Sequence, residues 1–312
     1  MGRAKPWLAF VVCALSLAAA PKLELRGRVT GSVNGRFRIG LYGIGQPYQQ
    51  NIVILPGQEF RFRPLESGSY SLVVARRGVG SVRRTVVVTP SLADKKGIVR
   101  FNVAYVPGEA ALEGREALVS RRELSVPDRA WNKYMEARLR MGRHQPARAV
   151  ESLTKAVEVA PEFSAAWNLL GVMSYQDLDY PQAEVYFRKA VETEPQAFEA
   201  IVNLGGVLMT TGKWEEALPY NQKAQAARPQ DPMANAQLGV SYFQMGDNER
   251  AEPYLVTAKR IDPSHFTRPQ LYLARIYLQR GDVKRATREI EDFIKRYPDA
   301  PEAARLREQL GE

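Results

Sequence analysis

The sequence predicts a multidomain protein in which an all-β antiparallel sandwich is followed by an all-α solenoid of helical repeats. Across residues 22–106 apolar and polar side chains alternate with a period of two, which is typical of strands that bury one face. Across residues 128–298 prolines recur every 34 or 35 residues, and a period of this length indicates stacked helix–turn–helix repeats. Repeat stacks build extended surfaces, so the pattern favours binding over catalysis.

The first 20 residues have the features of a signal peptide. Arg3 and Lys5 precede an uncharged run, Trp7–Ala20, which is shorter than the roughly 20 residues that a membrane-spanning helix needs. Small residues end the run, so residues 1–20 are predicted to be removed on export to the periplasm, the envelope or the exterior. The alternatives are an uncleaved membrane anchor and a buried helix. Cys13, the one cysteine, lies inside this run, so the mature chain is expected to contain no thiol and no disulfide.

Residues 22–106 are predicted to form the sandwich. Leu23 and Leu25 alternate with charged residues, and Phe60 and Phe62 do the same further along the chain. Short strands of this kind, separated by glycine, proline and asparagine, indicate an antiparallel sandwich. Further strands are predicted at Tyr70–Ala75, Arg84–Val88 and Ile98–Val103.

One stretch of the predicted sandwich carries a motif. Between Phe60 and Leu72 the order is Phe-x-Phe-x-x-Leu-x-x-Gly-x-Tyr-x-Leu, a short distance after Gly57. This stretch resembles the central signature of carboxypeptidase-regulatory-like domains. The resemblance implies a transthyretin-like sandwich in which the motif forms one hairpin around a glycine turn, and despite the family's name it implies no peptidase activity.

Small and aromatic residues recur in phase with the prolines of residues 128–298. Glycine and alanine at fixed places let two helices approach closely, and proline ends each repeat because it cannot continue a helix. The pattern resembles the tetratricopeptide repeat in about five copies, although Asn221 stands where that family usually has an aromatic residue. Counting back from Pro195, the recurring positions hold Ala190, Phe187, Ala183, Gly171, Leu170 and Trp167.

Two shorter segments flank the repeats. Residues 107–127 are predicted to be a connector, which contains a helix-prone stretch at Glu109–Val119. Residues 299–312 include a charged amphipathic stretch and are predicted to form a capping helix. Such a cap shields the apolar face that the last repeat of a stack would otherwise expose.

The resemblance to tetratricopeptide repeats implies a concave groove, lined by the first helix of each repeat, that binds a protein or peptide partner. The amides of Asn168, Asn203 and Gln237 are expected to hold the backbone of an extended segment by hydrogen bonds. The alternative is that they are only the polar lining of an unoccupied inner face. The groove positions that the family implies are Tyr134, Arg138, Asn168, Tyr175, Gln176, Asn203, Gln237, Phe243, Gln244, Tyr272 and Arg275.

The net charge of +10 lies almost wholly in the predicted sandwich. Residues 22–100 carry 14 Lys and Arg against 4 Asp and Glu, whereas residues 101–312 are nearly neutral. Outward-facing arginines either keep sheet edges from pairing or attract an anionic partner such as an acidic envelope polymer, lipid headgroups or an acidic protein face. Nucleic acid is not expected, because the sequence has no motif for it. The predicted basic face consists of Arg26, Arg28, Arg36, Arg38, Arg61 and Arg63.

The sequence contains no recognisable catalytic constellation. His144 and His265 are its two histidines; neither has a second ligand at metal spacing, so both are predicted to lie on the surface. Nucleophile-elbow, zinc-protease and phosphate-loop motifs are absent from the sequence. We therefore predict an exported, non-enzymatic, cofactor-free protein-interaction scaffold. The alternative is a surface-binding module whose basic sandwich attaches to anionic polysaccharide or membrane.

Overall fold

A computed structural model describes residues 22–31, 35–44, 48–76, 80–105, 126–143 and 145–310 of the 312-residue chain. The predicted signal peptide and most of the predicted connector lie outside the described residues. Within these ranges no helix has the length and apolar character needed to cross a bilayer.

In the described ranges eight strands form two sheets that face each other. One sheet has the order β4-β1-β7, with β8 also paired to β1, and the other has the order β3-β2-β5-β6. The strands are β1 (Leu23–Thr30), β2 (Phe37–Ile44), β3 (Gln49–Ile54), β4 (Glu59–Leu65), β5 (Gly68–Arg76), β6 (Gly80–Val88), β7 (Ile98–Arg100) and β8 (Val103–Ala104).

Large apolar side chains fill the space between the sheets. Leu25, Phe60 and Phe62 from one sheet and Leu41 and Leu72 from the other are fully buried in a single cluster. Each such side chain contributes about 1.5–3 kcal/mol when it leaves water, so this layer accounts for the period-two pattern. The predicted fold class, a sandwich followed by a solenoid, is confirmed.

Three details of the sheets differ from the sequence prediction. β7 and β8 run parallel to β1, so that sheet is mixed. The motif does not form a hairpin, because β4 pairs with β1 whereas β5 pairs with β2 and β6. The chain crosses from one sheet to the other there, and the Tyr70 hydroxyl stabilises this connection by donating a hydrogen bond to the Glu66 carbonyl at 2.8 Å. Strand β3 is absent from the prediction, because its first residues, Gln-Gln-Asn, are all polar and do not alternate with apolar residues.

Eleven helices follow in the described part of the chain, two for each of five repeats and one at the end. They are α1 (Asp128–Gly142), α2 (Pro146–Val159), α3 (Ser164–Gln176), α4 (Tyr180–Thr193), α5 (Phe198–Thr210), α6 (Trp214–Ala227), α7 (Pro232–Gln244), α8 (Asn248–Ile261), α9 (Pro269–Gln279), α10 (Val283–Arg296) and α11 (Pro301–Leu310). Four of them begin at an aspartate that accepts the main-chain N–H three residues on, namely Asp179, Asp231, Asp247 and Asp282.

The recurring glycine is explained by the packing of the two helices within a repeat. A Cβ atom on Gly171 would lie 2.5 Å from the ring of Phe187, a separation that no side chain tolerates. One period later a Cβ on Gly205 would lie 2.0 Å from the side-chain oxygen of Asn221. Asn221 thus packs against Gly205 in the same way that the Phe187 ring packs against Gly171 one repeat earlier.

The sandwich packs against the last two repeats. The Asp262 carboxylate accepts the main-chain N–H of Thr85 in β6 at 2.9 Å, and the Asp299 carboxylate accepts the Ser91 hydroxyl. Val87 packs on a buried cluster that includes Phe293. The contacting residues of the solenoid lie in the turns that follow α8 and α10 and in α10 itself, so the sandwich meets the edge formed by the proline-containing turns.

Candidate protein-binding groove

The first helices of neighbouring repeats contact each other directly: α3 with α5, α5 with α7, and α7 with α9. Side-chain contacts between them join residues that are 35 apart, one repeat plus one residue. Asn168 bonds Asn203, Tyr175 bonds Thr210, and the main chain at Val202 bonds Gln237. A row of side chains therefore continues from one repeat to the next.

The central feature of this row is a pair of asparagines. The Asn203 side-chain amide donates to the Asn168 side-chain oxygen at 2.9 Å, and both residues are half-buried. This bond leaves the amide nitrogen of Asn168 and the amide oxygen of Asn203 without a hydrogen-bond partner among the described residues. One donor and one acceptor are thus left on adjacent helices, at a surface that solvent reaches.

Gln237 differs from the other two amides that the sequence predicts to hold the backbone of a bound segment. It is only 7% exposed, and its amide donates to the Val202 carbonyl at 3.2 Å. Gly206 makes room for it, since a Cβ there would lie 2.8 Å from the Gln237 amide nitrogen. The Gln237 side chain therefore joins two repeats internally and does not present its amide on the surface, and its side-chain oxygen is buried without a partner among the described residues.

Aromatic residues flank the asparagine pair on the C-terminal side. The rings of Phe243 and Tyr272 meet edge to face at 5.2 Å, and the Arg275 guanidinium lies 5.4 Å from the Phe243 ring centre. Burial raises the pKa of the Tyr272 hydroxyl, so it stays protonated and able to donate. Gln244 is exposed at the end of α7. This cluster offers apolar and cationic contacts at neighbouring points of the fourth and fifth repeats.

The N-terminal side of the row is also aromatic. Tyr134 packs 5.1 Å from the ring of Phe163, and the exposed Arg138 guanidinium lies 5.9 Å from the Tyr134 ring centre. Tyr175 is 37% exposed, and its hydroxyl lies 3.0 Å from that of Thr210. Gln176 is exposed beside it. Thr210 is absent from the sequence prediction, although its position 35 residues after Tyr175 is the signal that identifies it.

The predicted basic face does not form a single surface. Arg26, Arg28, Arg61 and Arg63 lie on the outer side of the β4-β1-β7 sheet, whereas Arg38 lies on the other sheet and Arg36 precedes it. Two of the first group are neutralised locally: Arg26 bonds Glu24 at 2.6 Å and Arg61 bonds Glu59 at 3.1 Å. The positive charge is therefore divided between two faces and partly paired, which weakens the case for a broad anionic surface as partner.

His265 also corrects a prediction, because it lies in the interior where the sandwich meets the repeats. It is 3% exposed, its ring nitrogen lies 2.8 Å from the Thr267 hydroxyl, and its carbonyl accepts the Tyr297 hydroxyl at 2.9 Å. Burial lowers its pKa to about 3, with a smaller contribution from Arg83. Burial also raises the pKa of Asp262, although Thr85 opposes this shift by hydrogen bonding. Groups of three or more metal-ligating side chains are absent from the described ranges.

Together the fold and the row define a class of protein, a helical-repeat solenoid with polar and aromatic side chains aligned along its first helices. Two family models described as "Tetratricopeptide repeat" match the chain. One matches residues 134–192 and 175–232, and the other matches residues 242–310. Together they cover more than half of the chain, which therefore belongs to the tetratricopeptide repeat proteins.

Several solved repeat structures have a similar fold. YrrB, described as a TPR protein with an unusual peptide-binding site, is 21% identical with a TM-score of 0.51, covering 61% of this chain and 99% of YrrB. Pseudomonas aeruginosa pilF is 17% identical with a TM-score of 0.51, covering 64% and 87%. PilW, described as a type IV pilus biogenesis factor, is 22% identical with a TM-score of 0.50, covering 58% and 86%. No curated protein sequence matches the chain.

Proposed function

We propose that this protein is a non-enzymatic scaffold whose repeats bind an extended segment of a partner protein. The observation that carries the proposal is the asparagine pair, in which Asn168 keeps a donor and Asn203 keeps an acceptor on adjacent helices. An extended peptide presents alternating N–H and C=O groups, so one peptide unit can satisfy both amides at once.

The aromatic clusters on either side of the pair support the same function. Phe243 and Tyr272 supply apolar area beyond α5, and Tyr134 and Tyr175 do so before it. Aromatic residues provide large contact areas at low cost in side-chain entropy, which is why they are enriched where proteins bind each other. Arg138 lies beside the N-terminal aromatic cluster and Arg275 beside the C-terminal one. Acidic side chains of a partner are therefore favoured near both clusters.

We further propose that the protein is exported and works in the cell envelope. The signal-peptide features of residues 1–20 support export. PilW, whose fold resembles the repeats, is described as a pilus biogenesis factor, which is consistent with an envelope role. We also assign the sandwich to the carboxypeptidase-regulatory-like domains on its motif, with a supporting and not a catalytic role.

The experiment that tests the groove compares three full-length proteins on a phage library of randomised peptides. Peptides selected on the wild type are measured again on a variant carrying both Asn168→Ala and Asn203→Ala. The control is Gln225→Ala, because Gln225 is a half-buried amide on α6, a second helix. Losing two backbone hydrogen bonds should weaken binding by about ten-fold or more in the double variant and leave the control unchanged. Equal affinity of all three proteins for the selected peptides would contradict the proposal.

A further inference from the structure

The two sheets of the sandwich have five edge strands in the described part of the chain, and four of them are protected from pairing. β4 carries Pro64 between its exposed arginines and its end, β7 and β8 are only three and two residues long, and β6 is covered where Asp262 accepts the Thr85 N–H. Proline, outward charge, shortness and coverage are the usual means by which proteins prevent edge strands from joining other chains. β3 has none of them: its six residues include no proline and no charge.

The backbone of β3 has unpaired groups on its outer edge. The Gly43 N–H donates to the Tyr48 carbonyl at 2.7 Å, which sets the alternation of the ladder between β2 and β3. In an antiparallel pair every second residue bonds its neighbour, so Gln49, Asn51 and Val53 direct their N–H and C=O groups away from β2. Backbone hydrogen bonds to these outward groups are absent from the described ranges.

The side chains beside this edge indicate the kind of strand that fits it. Val53 is 61% exposed and Leu55 is 49% exposed, so an incoming strand gains apolar contact. Arg38 pairs with Val53 in the ladder, and Arg36 lies next to the start of β2. Both arginines are exposed and have no acidic partner among the described residues. An acidic side chain on the incoming strand, placed opposite Val53 or Leu55, comes within reach of these guanidinium groups.

We propose that β3 accepts an additional strand from a partner protein, and that this strand is an extended segment with acidic side chains that face Arg36 and Arg38. Main-chain hydrogen bonds to Gln49, Asn51 and Val53 supply the docking, and the two arginines select the charge. A second copy of this chain is disfavoured as the occupant. Pairing two β3 strands would bring together two domains that each carry a net charge of +10 across residues 22–100.

The test uses two synthetic peptides and the full-length protein. One peptide alternates valine with glutamate, and the matched control alternates valine with lysine. Hydrogen exchange of the protein is measured with and without each peptide at low salt. The glutamate peptide should slow exchange of the amides of Gln49, Asn51 and Val53, and the lysine peptide should not.

Two variants separate the backbone from the charge. Val53→Pro removes an outward N–H without touching the ladder to β2, so the fold should persist and protection by the glutamate peptide should be lost. The double variant Arg36→Glu with Arg38→Glu leaves the edge intact and should reverse the preference, so that the lysine peptide binds about ten-fold more tightly than the glutamate peptide.

Three outcomes would overturn the inference. Absence of protection by the glutamate peptide in the wild type would show that the edge does not accept a strand. Equal protection by both peptides would show that Arg36 and Arg38 do not select a strand with acidic side chains. A wild-type dimer that Val53→Pro converts to a monomer, measured by sedimentation, would show that the occupant is a second copy. The groove variants of Asn168 and Asn203 should not affect any of these measurements.

Discussion

The Asp262 carboxylate and the main-chain N–H of Thr85 form a hydrogen bond of 2.9 Å that joins residues 177 positions apart in the chain. Both residues are buried, with exposures of 2% and 4%. The N–H belongs to an edge strand, which would otherwise be open to a further strand, and the carboxylate comes from the turn after α8. One side chain of the solenoid thus satisfies an outward-facing backbone donor of the sandwich.

This bond predicts a loss of stability in the Asp262→Ala variant. Alanine leaves the Thr85 N–H buried and unsatisfied, which should lower the free energy of unfolding by about 1–3 kcal/mol. Asp262→Asn keeps an acceptor oxygen and should retain most of the stability. Urea unfolding gives the two values, and hydrogen exchange reports the Thr85 amide directly. An amide that exchanges equally slowly in the alanine variant and the wild type would refute this account.

His265 predicts a dependence of stability on pH. Its pKa is about 3 in the folded protein and about 6.5 in the unfolded chain, so below pH 6.5 protons bind preferentially to the unfolded state. The histidine's contribution to stability is therefore complete above this pH, and falls by about 2 kcal/mol between about pH 7 and pH 5. The raised pKa of Asp262 acts in the opposite direction, because the folded state then binds a proton more readily as the pH falls.

The His265→Gln variant isolates the histidine, since Asp262 is present in both proteins. Urea unfolding of the variant and the wild type across this pH range should give free energies that converge as the pH falls. A constant difference between the two proteins would show that His265 does not remain neutral in the folded state.

The helix contact at Gly171 predicts a cost for adding a single methyl group. A Cβ atom there would collide with the Phe187 ring, so Gly171→Ala should destabilise the protein by about 1–3 kcal/mol. Gly142→Ala is the matched control, because nothing lies within 4 Å of a Cβ at Gly142, at the end of α1. That change should be neutral or stabilising by about 0.4–1 kcal/mol. Thermal unfolding distinguishes them, and equal midpoints would argue against the close approach of α3 and α4.

The buried position of Gln237 predicts that replacing this residue changes neither the stability of the fold nor the affinity for peptides. Its side-chain oxygen is buried without a partner among the described residues, so Gln237→Met removes an unsatisfied acceptor along with one donated bond. Replacing a poorly satisfied polar group by an apolar one of similar shape is close to neutral, so unfolding should shift by less than about 1 kcal/mol. Peptides that lose affinity for the Asn168 and Asn203 variant should bind Gln237→Met normally. Weaker peptide binding by Gln237→Met would show that Gln237 contributes to the groove.

The parts of the fold that sequence predicts are those fixed by local chemistry. Pro195 and its counterparts end repeats because proline cannot continue a helix, and Gly171 recurs because two helices cross there. The burial of His265 and Gln237 could not be predicted in this way. His265 is buried close enough to Arg83, in a domain almost two hundred residues earlier in the chain, for that charge to lower its pKa, and Gln237 occupies the space that Gly206 leaves one repeat before. Both depend on contacts between units that each look complete alone.

The docking of the sandwich also bears on the mechanics of the solenoid. A stack of repeats is elastic, since each repeat touches only its neighbours and small rotations between repeats add along the axis. The hydrogen bonds of Thr85 and Ser91 to the turns after α8 and α10 attach the C-terminal repeats to the sandwich. We therefore expect the elastic deformation of the solenoid to be concentrated in the first three repeats, between α1 and α6. Asn168 and Asn203 lie in that segment, so the groove that we propose for a partner belongs to the part of the array whose curvature is least constrained.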